Sequence, residues 1–182
     1  MDRQLRIAQL VDHYKNPRHR GPLPTADVSM PGGNPGCGDL VTVHLRADAE
    51  EDRIAEMSFE GEGCTVSQAA ASILAQRMNR KKPSFEEIDA LSYEEMIDLL
   101  GRDIVGTRPR CATLALGTLK AAVRRLQMDR RLRAAGRSEE EIAQLRGALA
   151  AQAPSGLVFG ENAHDLARAD VSGKQHDPLA SG

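Results

Sequence analysis

Cys37, Asp39, Cys64 and Cys111 are the residues of this 182-residue sequence whose types and settings best suit chemistry. Each cysteine stands at a structural break. Cys37 lies in Asn34-Pro35-Gly36-Cys37-Gly38-Asp39, a tight loop entering a strand. Cys64 closes Gly61-Glu62-Gly63-Cys64, where an extended segment gives way to a helix, and Cys111 follows Thr107-Arg108-Pro109-Arg110 at the start of another. Two of the thiols therefore fall at expected helix N-termini, where free backbone N–H groups and the helix dipole favour a thiolate. Glycine on both sides of Cys37, and before Cys64, lets backbone approach a bound ion closely. The cysteines are 27 and 47 residues apart, which is no zinc-finger spacing, so the donors must converge through tertiary structure. Asp39, two residues beyond Cys37 in chain that reads as extended, projects to the same side as that thiol. Three thiolates and one carboxylate make a four-donor set suited to tetrahedral zinc or to one edge of an iron–sulfur cluster. Free cysteines also serve as small buried hydrophobes, and from spacing alone the two readings stand level.

Arg110 precedes Cys111. A doubly charged cation held by three thiolates and a carboxylate carries a net charge of about −2, which a neighbouring guanidinium would partly offset while keeping the Cys111 thiol ionised. Arginine stays protonated and is no ligand; the plainer reading is that Arg110 caps the surface there. The histidines are read as structural or solvated: His13 on the polar side of the first helix, His44 in a strand, His164 and His176 in the tail.

The elements that must position these donors follow from periodicity. Ile7, Leu10, Val11 and Tyr14 mark a helix ended by Asn16-Pro17. A turn-rich stretch follows to Asp39, in which Ala26 to Met30 adds a short edge strand. Val41, Val43 and Leu45, then Ala55, Met57 and Phe59, alternate as the two arms of a hairpin. From Cys64 the period becomes helical, with Val66, Ala69, Ala70, Ile73 and Leu74 on one stripe. Ser84 with Glu87, Ser92 with Glu95, and Ser138 with Glu141 are capping boxes that open three more helices. The last core helix begins near Cys111 and carries Ala115, Leu116, Leu119, Ala122, Val123 and Leu126. Residues 1–130 form the core domain and 131–182 an extension: a short helix over about 138–151, with Ile142, Leu145 and Leu149 on one side, then chain after Pro154 too poor in apolar residues to order.

Composition bounds the function. With no Trp, two Tyr and three Phe, the core must be aliphatic and alanine-rich, which favours closely packed helices. A net charge of −2 implies no nucleic-acid partner, and the run Arg124, Arg125, Arg130, Arg131 and Arg133 reads as solvated helix surface. No apolar run approaches the roughly 18 residues of a membrane span, and the N-terminus lacks the features of a signal peptide. An odd number of cysteines with no Cys-x-x-Cys pair fits a reducing, cytoplasmic setting.

Asp12-His13-Tyr14-Lys15-Asn16-Pro17-Arg18, Asn34-Pro35-Gly36-Cys37-Gly38-Asp39, Phe59-Glu60-Gly61-Glu62-Gly63-Cys64 and Cys111-Ala112-Thr113-Leu114 together resemble the iron–sulfur cluster assembly scaffolds of the IscU, SufU and NifU N-terminal type. The resemblance spans about residues 5–127, and the last three motifs are most similar to the SufU branch. It implies an α/β (α+β) fold, with a small antiparallel sheet of about three strands packed against several helices and a metal site at one exposed tip. It maps the ligand positions onto Cys37, Asp39, Cys64 and Cys111. It further implies a transient [2Fe–2S] cluster or iron, a cysteine desulfurase as sulfur donor, and apo-proteins as acceptors. In that role the chain is a scaffold and not an enzyme; the alternative is a zinc-dependent sulfurtransferase that accepts persulfide sulfur on Cys37 without assembling a cluster. The chain departs from SufU in lacking an insertion between the second and third cysteines. It departs from IscU in carrying Arg110 where a histidine stands and Gly106-Thr107-Arg108-Pro109-Arg110 where the chaperone-recognition stretch stands. A dedicated Hsp70 partner is therefore not implied.

Overall fold

Helix α1 (Arg3–Lys15) forms where the first apolar stripe predicts it and stops as Asn16 N–H bonds the Asp12 carbonyl ahead of Pro17. The chain is seen here as a computed structural model describing residues 3–48, 50–148, 157–160 and 163–173. Three antiparallel strands follow: β1 (Val28–Asn34), β2 (Asp39–Ala47) and β3 (Ile54–Glu62). Val41, Val43 and Leu45 are sealed on the inner face, as their alternation predicts. On β3 Met57 and Phe59 join them, but a bulge at Arg46/Ala47 shifts the register so that Ile54 is sealed and Ala55 only partly buried.

Helix α2 (Thr65–Lys81) is buried over most of its girth, because alanine and serine at 67, 69–72 and 75 let it approach the sheet and its neighbours closely. Short helices α3 (Phe85–Ala90) and α4 (Tyr93–Leu100) open on the expected capping boxes of Ser84 with Glu87 and Ser92 with Glu95. After α5 (Arg102–Val105), the 26-residue α6 (Pro109–Ala134) crosses β1 and β2 and packs on α2. Arg124, Arg130 and Arg133 on its surface pair with Asp89, Asp52 and Glu139, consistent with a solvated face. Helix α7 (Glu139–Ala148) keeps the third capping box; Ile142 is buried, Leu145 is largely exposed, and Arg146 pairs in two-pronged fashion with the buried Asp129 of α6. Leu149 lies outside the described residues.

Two expectations need correction. Pro31, Gly32 and Gly33 belong to β1 and not to a turn, and β1 is no edge strand. A further strand, β4 (Val158–Phe159), pairs with it at Gly33 and Gly32, giving the order β3-β2-β1-β4. Helix α8 (Ala163–Gly173) then packs on β1, so residues 157–160 and 163–173 of the supposed unstructured tail form part of the fold. Leu157, Val158, Ala163 and Ala167 are buried. Low hydrophobic content did not forbid this order, because small residues bury backbone against backbone. A Cβ at Gly33 would stand 2.6 Å from the Ala163 carbonyl oxygen and 2.7 Å from Ala167 Cβ. Among the described residues no helix is long and apolar enough to cross a membrane.

Candidate metal centre

The four donors gather where strands end and helices begin. Cys37 sits in the loop between β1 and β2, Asp39 is the first residue of β2, Cys64 is the N-cap of α2, and Cys111 lies in the first turn of α6. Cys37 Sγ, an Asp39 carboxylate oxygen and Cys111 Sγ lie within 4.8 Å of one another, with Cys111 3.6 Å from Cys37. Cys64 stands outside this tightest set, close enough to Cys111 for the two thiols to shift one another's ionisation. Access is graded: Cys37 is exposed, Cys64 half-buried, and Cys111 and Asp39 are buried.

Asp39 is held from two sides. Its Oδ1 accepts the Cys64 amide at 2.7 Å and the Ser67 hydroxyl at 3.1 Å, so a carboxylate on the sheet caps α2. Gly63 makes this possible. Its φ of +151° suits glycine, and a Cβ there would lie 2.4 Å from Asp39 Oδ1 and 2.8 Å from Ser67 Oγ. The other oxygen, Oδ2, faces the Asn34 amide nitrogen at 3.4 Å.

Asn34 is a site residue that sequence reasoning passed over. Fully buried, it directs Nδ2 also to Cys111 Sγ at 3.6 Å, and its carbonyl accepts the amides of Cys37 at 3.1 Å and Gly38 at 2.8 Å. One residue thus touches three of the four donor positions. Its Oδ1 has no hydrogen-bond partner among the described residues. The one available sign was its place at the head of the Asn-Pro-Gly-Cys-Gly-Asp segment, since an asparagine before a tight turn usually bonds the turn itself.

The two thiols at helix starts behave differently. The hydrogen bond from Cys111 brings Cys64 down to about 6 against burial, with help from Ser67 and against the charge of Asp39. That same bond, then burial and the nearby Asp39, push Cys111 up. The two helix starts therefore differ: Cys64 is lowered, chiefly by its Cys111 neighbour, and Cys111 is raised by proximity and burial. Arg110 is not prominent in this balance. It is exposed, and its Nη1 lies 3.7 Å from where a Gly36 Cβ would be, over the Cys37 loop.

No histidine among the described residues joins the donor set. His13 is buried and not on a polar face, with Nδ1 2.8 Å from the Ser72 hydroxyl on α2. His44 bridges Ser29 and Glu60 on the outer sheet face, and His164 meets Thr42 there. His176 lies outside the described residues.

A small antiparallel sheet backed by helices carries two free thiols and a carboxylate, Cys37, Cys111 and Asp39, within a distance that could hold a metal ion, with Cys64 nearby. Residues 7–132 match the NifU-like N terminal domain family, and the chain belongs to that family. It is 32% identical over 129 residues to the zinc-dependent sulfurtransferase SufU of Bacillus subtilis, covering 63% of this chain and 86% of that protein. It is 33% identical over 138 residues to the iron–sulfur cluster assembly scaffold protein IscU of Streptococcus pyogenes, covering 66% and 84%. The N-terminal part of a nitrogen-fixing NifU-like protein from Brucella abortus shares the fold, with a TM-score of 0.56 over 66% of this chain and 92% of that one, at 18% identity.

Proposed function

We propose that this chain is an iron–sulfur cluster assembly scaffold that receives sulfur from a cysteine desulfurase, builds a transient [2Fe–2S] cluster, and passes it to apo-proteins. The observation that carries the reading is the convergence of Cys37, Asp39 and Cys111 within 4.8 Å, with the Cys64 amide held on the Asp39 carboxylate. In this reading all four hold the iron. The donor set fits the cargo: soft thiolates bind cluster iron well, and one harder carboxylate leaves a position that exchanges. The graded access supports the same role, since Cys37 faces solvent where sulfur must arrive and the buried pair anchors the far side. Three free thiols also suit a reducing compartment, for which we take the cytoplasm.

A second reading is favoured by the name of the Bacillus subtilis relative. In it the four donors hold Zn²⁺, and the Cys37 thiolate attacks the outer sulfur of a donor persulfide. The donor's S–S bond breaks as a new one forms on Cys37, and the donor leaves as a thiolate, so no outside oxidant is needed.

Metal analysis with a visible absorption spectrum of protein purified without oxygen separates the two. A cluster, or one rebuilt from iron and a desulfurase and transferred to an apo-acceptor, supports the scaffold. Stoichiometric zinc with no visible band, and persulfide on Cys37 without cluster formation, would replace it by the sulfurtransferase.

A further inference from the structure

Residues 157–173 lie beyond the part of the chain that matches the family, yet those described among them bear on the strand ends that carry the donors. Strand β4 pairs with β1 at Gly32 and Gly33, and Gly160 N–H bonds the Pro31 carbonyl at 2.9 Å. These residues lead directly into Asn34 and the Cys37 loop. Helix α8 then touches all three older strands on the outer face of the sheet. Ala163 and Ala167 rest on Gly33 of β1, His164 Nε2 lies 3.4 Å from Thr42 Oγ1 of β2, and Arg168 bonds Glu62 of β3 at 2.7 Å. Glu62 is two residues from Cys64. The chain therefore returns from α6, whose first turn carries Cys111, to tie the end of β1 to the end of β3.

The contact is built for closeness. Gly33 has no side chain, and the alanines four apart on α8 lay a smooth helical face on it. The ion pair adds little by itself, since both partners are well exposed.

We infer that β4–α8 is a clasp whose docking is coupled to metal binding: it holds Asn34 and the Cys37 loop in position relative to Cys64, and loading the site in turn tightens the clasp. The inference rests on the four-donor reading above. Coupling free energy is reciprocal, so both directions are measurable. A strand that merely covered the β1 edge against aggregation would not respond to metal.

The test uses the full chain with Zn²⁺ alone as probe. Hydrogen exchange of peptides covering residues 157–173 is compared between metal-free and zinc-loaded protein. Slower exchange of these peptides on loading is expected. Ala167→Arg places a long side chain where only a methyl group fits, so it should release α8, seen as fast exchange, and weaken zinc binding about tenfold in competition with a chromophoric chelator. Ala167→Ser should restore both. Unchanged exchange on zinc loading, or unchanged zinc affinity with α8 released, would overturn the clasp. Should Ala167→Arg fail to fold, the wild-type exchange comparison decides alone. If the wild type takes up no zinc or iron at all, the four-donor reading falls and the clasp with it; zinc uptake without coupling sinks only the clasp.

Discussion

The Asp39 carboxylate accepts the backbone amide of Cys64 at 2.7 Å, so one candidate ligand on the sheet fixes the position of another at the head of α2. Asp39 therefore has two separable duties, one for each oxygen.

Those duties come apart by mutation. Asp39→Ala strands the Cys64 amide, while the Ser67 hydroxyl keeps the Cys64 carbonyl as its acceptor, at a cost of about 1–3 kcal/mol. Asp39→Asn keeps an acceptor at Oδ1 while removing the charge and the weak, exchangeable ligand. Thermal unfolding should thus drop clearly for the alanine variant and little for the asparagine variant. Transfer of a reconstituted cluster to one apo-acceptor should slow in Asp39→Asn. Equal or faster transfer at unchanged stability would leave Asp39 a purely architectural residue.

Asn34 points its amide at Cys111 Sγ and at Asp39 Oδ2. Hydrogen bonds to ligand atoms orient them and spread their charge, and their loss typically costs 10–100-fold in metal affinity, roughly. Asn34→Asp replaces the donor by a second carboxylate at the same buried spot, so zinc affinity should fall by about that range. Chelator competition at neutral pH reads it. An unchanged affinity would mean that Asn34 serves only the turn through its carbonyl.

His13 ties α1 to α2. Its Nδ1 lies 2.8 Å from the Ser72 hydroxyl, which also accepts the Arg18 amide at 2.8 Å. Burial, then Arg18, holds the His13 pKa below 6.5 and favours the neutral ring. The unfolded chain takes up the proton more readily, so the His13 contribution to stability is full above pH 6.5 and falls as the pH drops below it. Urea unfolding of the metal-free protein should show this loss as the pH falls below 6.5, and His13→Gln should flatten it. A wild-type midpoint that does not move across that window would contradict the assignment.

What was legible in the sequence was what local chemistry decides. Ser84, Ser92 and Ser138 opened helices because each capping box is complete within four residues. The three cysteines stood out because glycine and proline broke the chain beside them. The Pro31-Gly32-Gly33 strand was not legible, since its local preference is for a turn. It is extended because β2 and β4 pair with it, Thr118 of α6 presses on Gly32, and α8 presses on Gly33. The order in residues 157–160 and 163–173 escaped for the same reason: Ala163 and Ala167 have value only against a glycine far away in sequence. Likewise the Asn34–Cys111 and Asp39–Cys64 bonds join residues 77 and 25 apart, and no periodicity reports such pairs.

The last prediction concerns which thiol is ionised before metal arrives. Cys111 has two sulfur neighbours, Cys37, to which it donates at 3.6 Å, and Cys64. Its interaction with Cys64 brings that thiol down to about 6 from an ordinary 9.0, and raises its own. A depressed thiol stabilises the fold above its unfolded value and loses that contribution as pH falls through its folded value. Cys64 should therefore add stability progressively between about pH 6 and pH 9, whereas Cys111, raised, works against the fold above pH 9. Alkylation with iodoacetamide, mapped residue by residue on the metal-free protein, should show Cys64 reacting with a midpoint near 6. Buried Cys111 should stay slow throughout. Cys111→Ser weakens that interaction and should move the Cys64 midpoint upward; Arg110→Ala, which leaves it intact, should not move the midpoint. A Cys64 midpoint at the ordinary thiol value, or one that follows Arg110 and ignores Cys111, would overturn the pairing and return control of the site's charge to the guanidinium over the Cys37 loop.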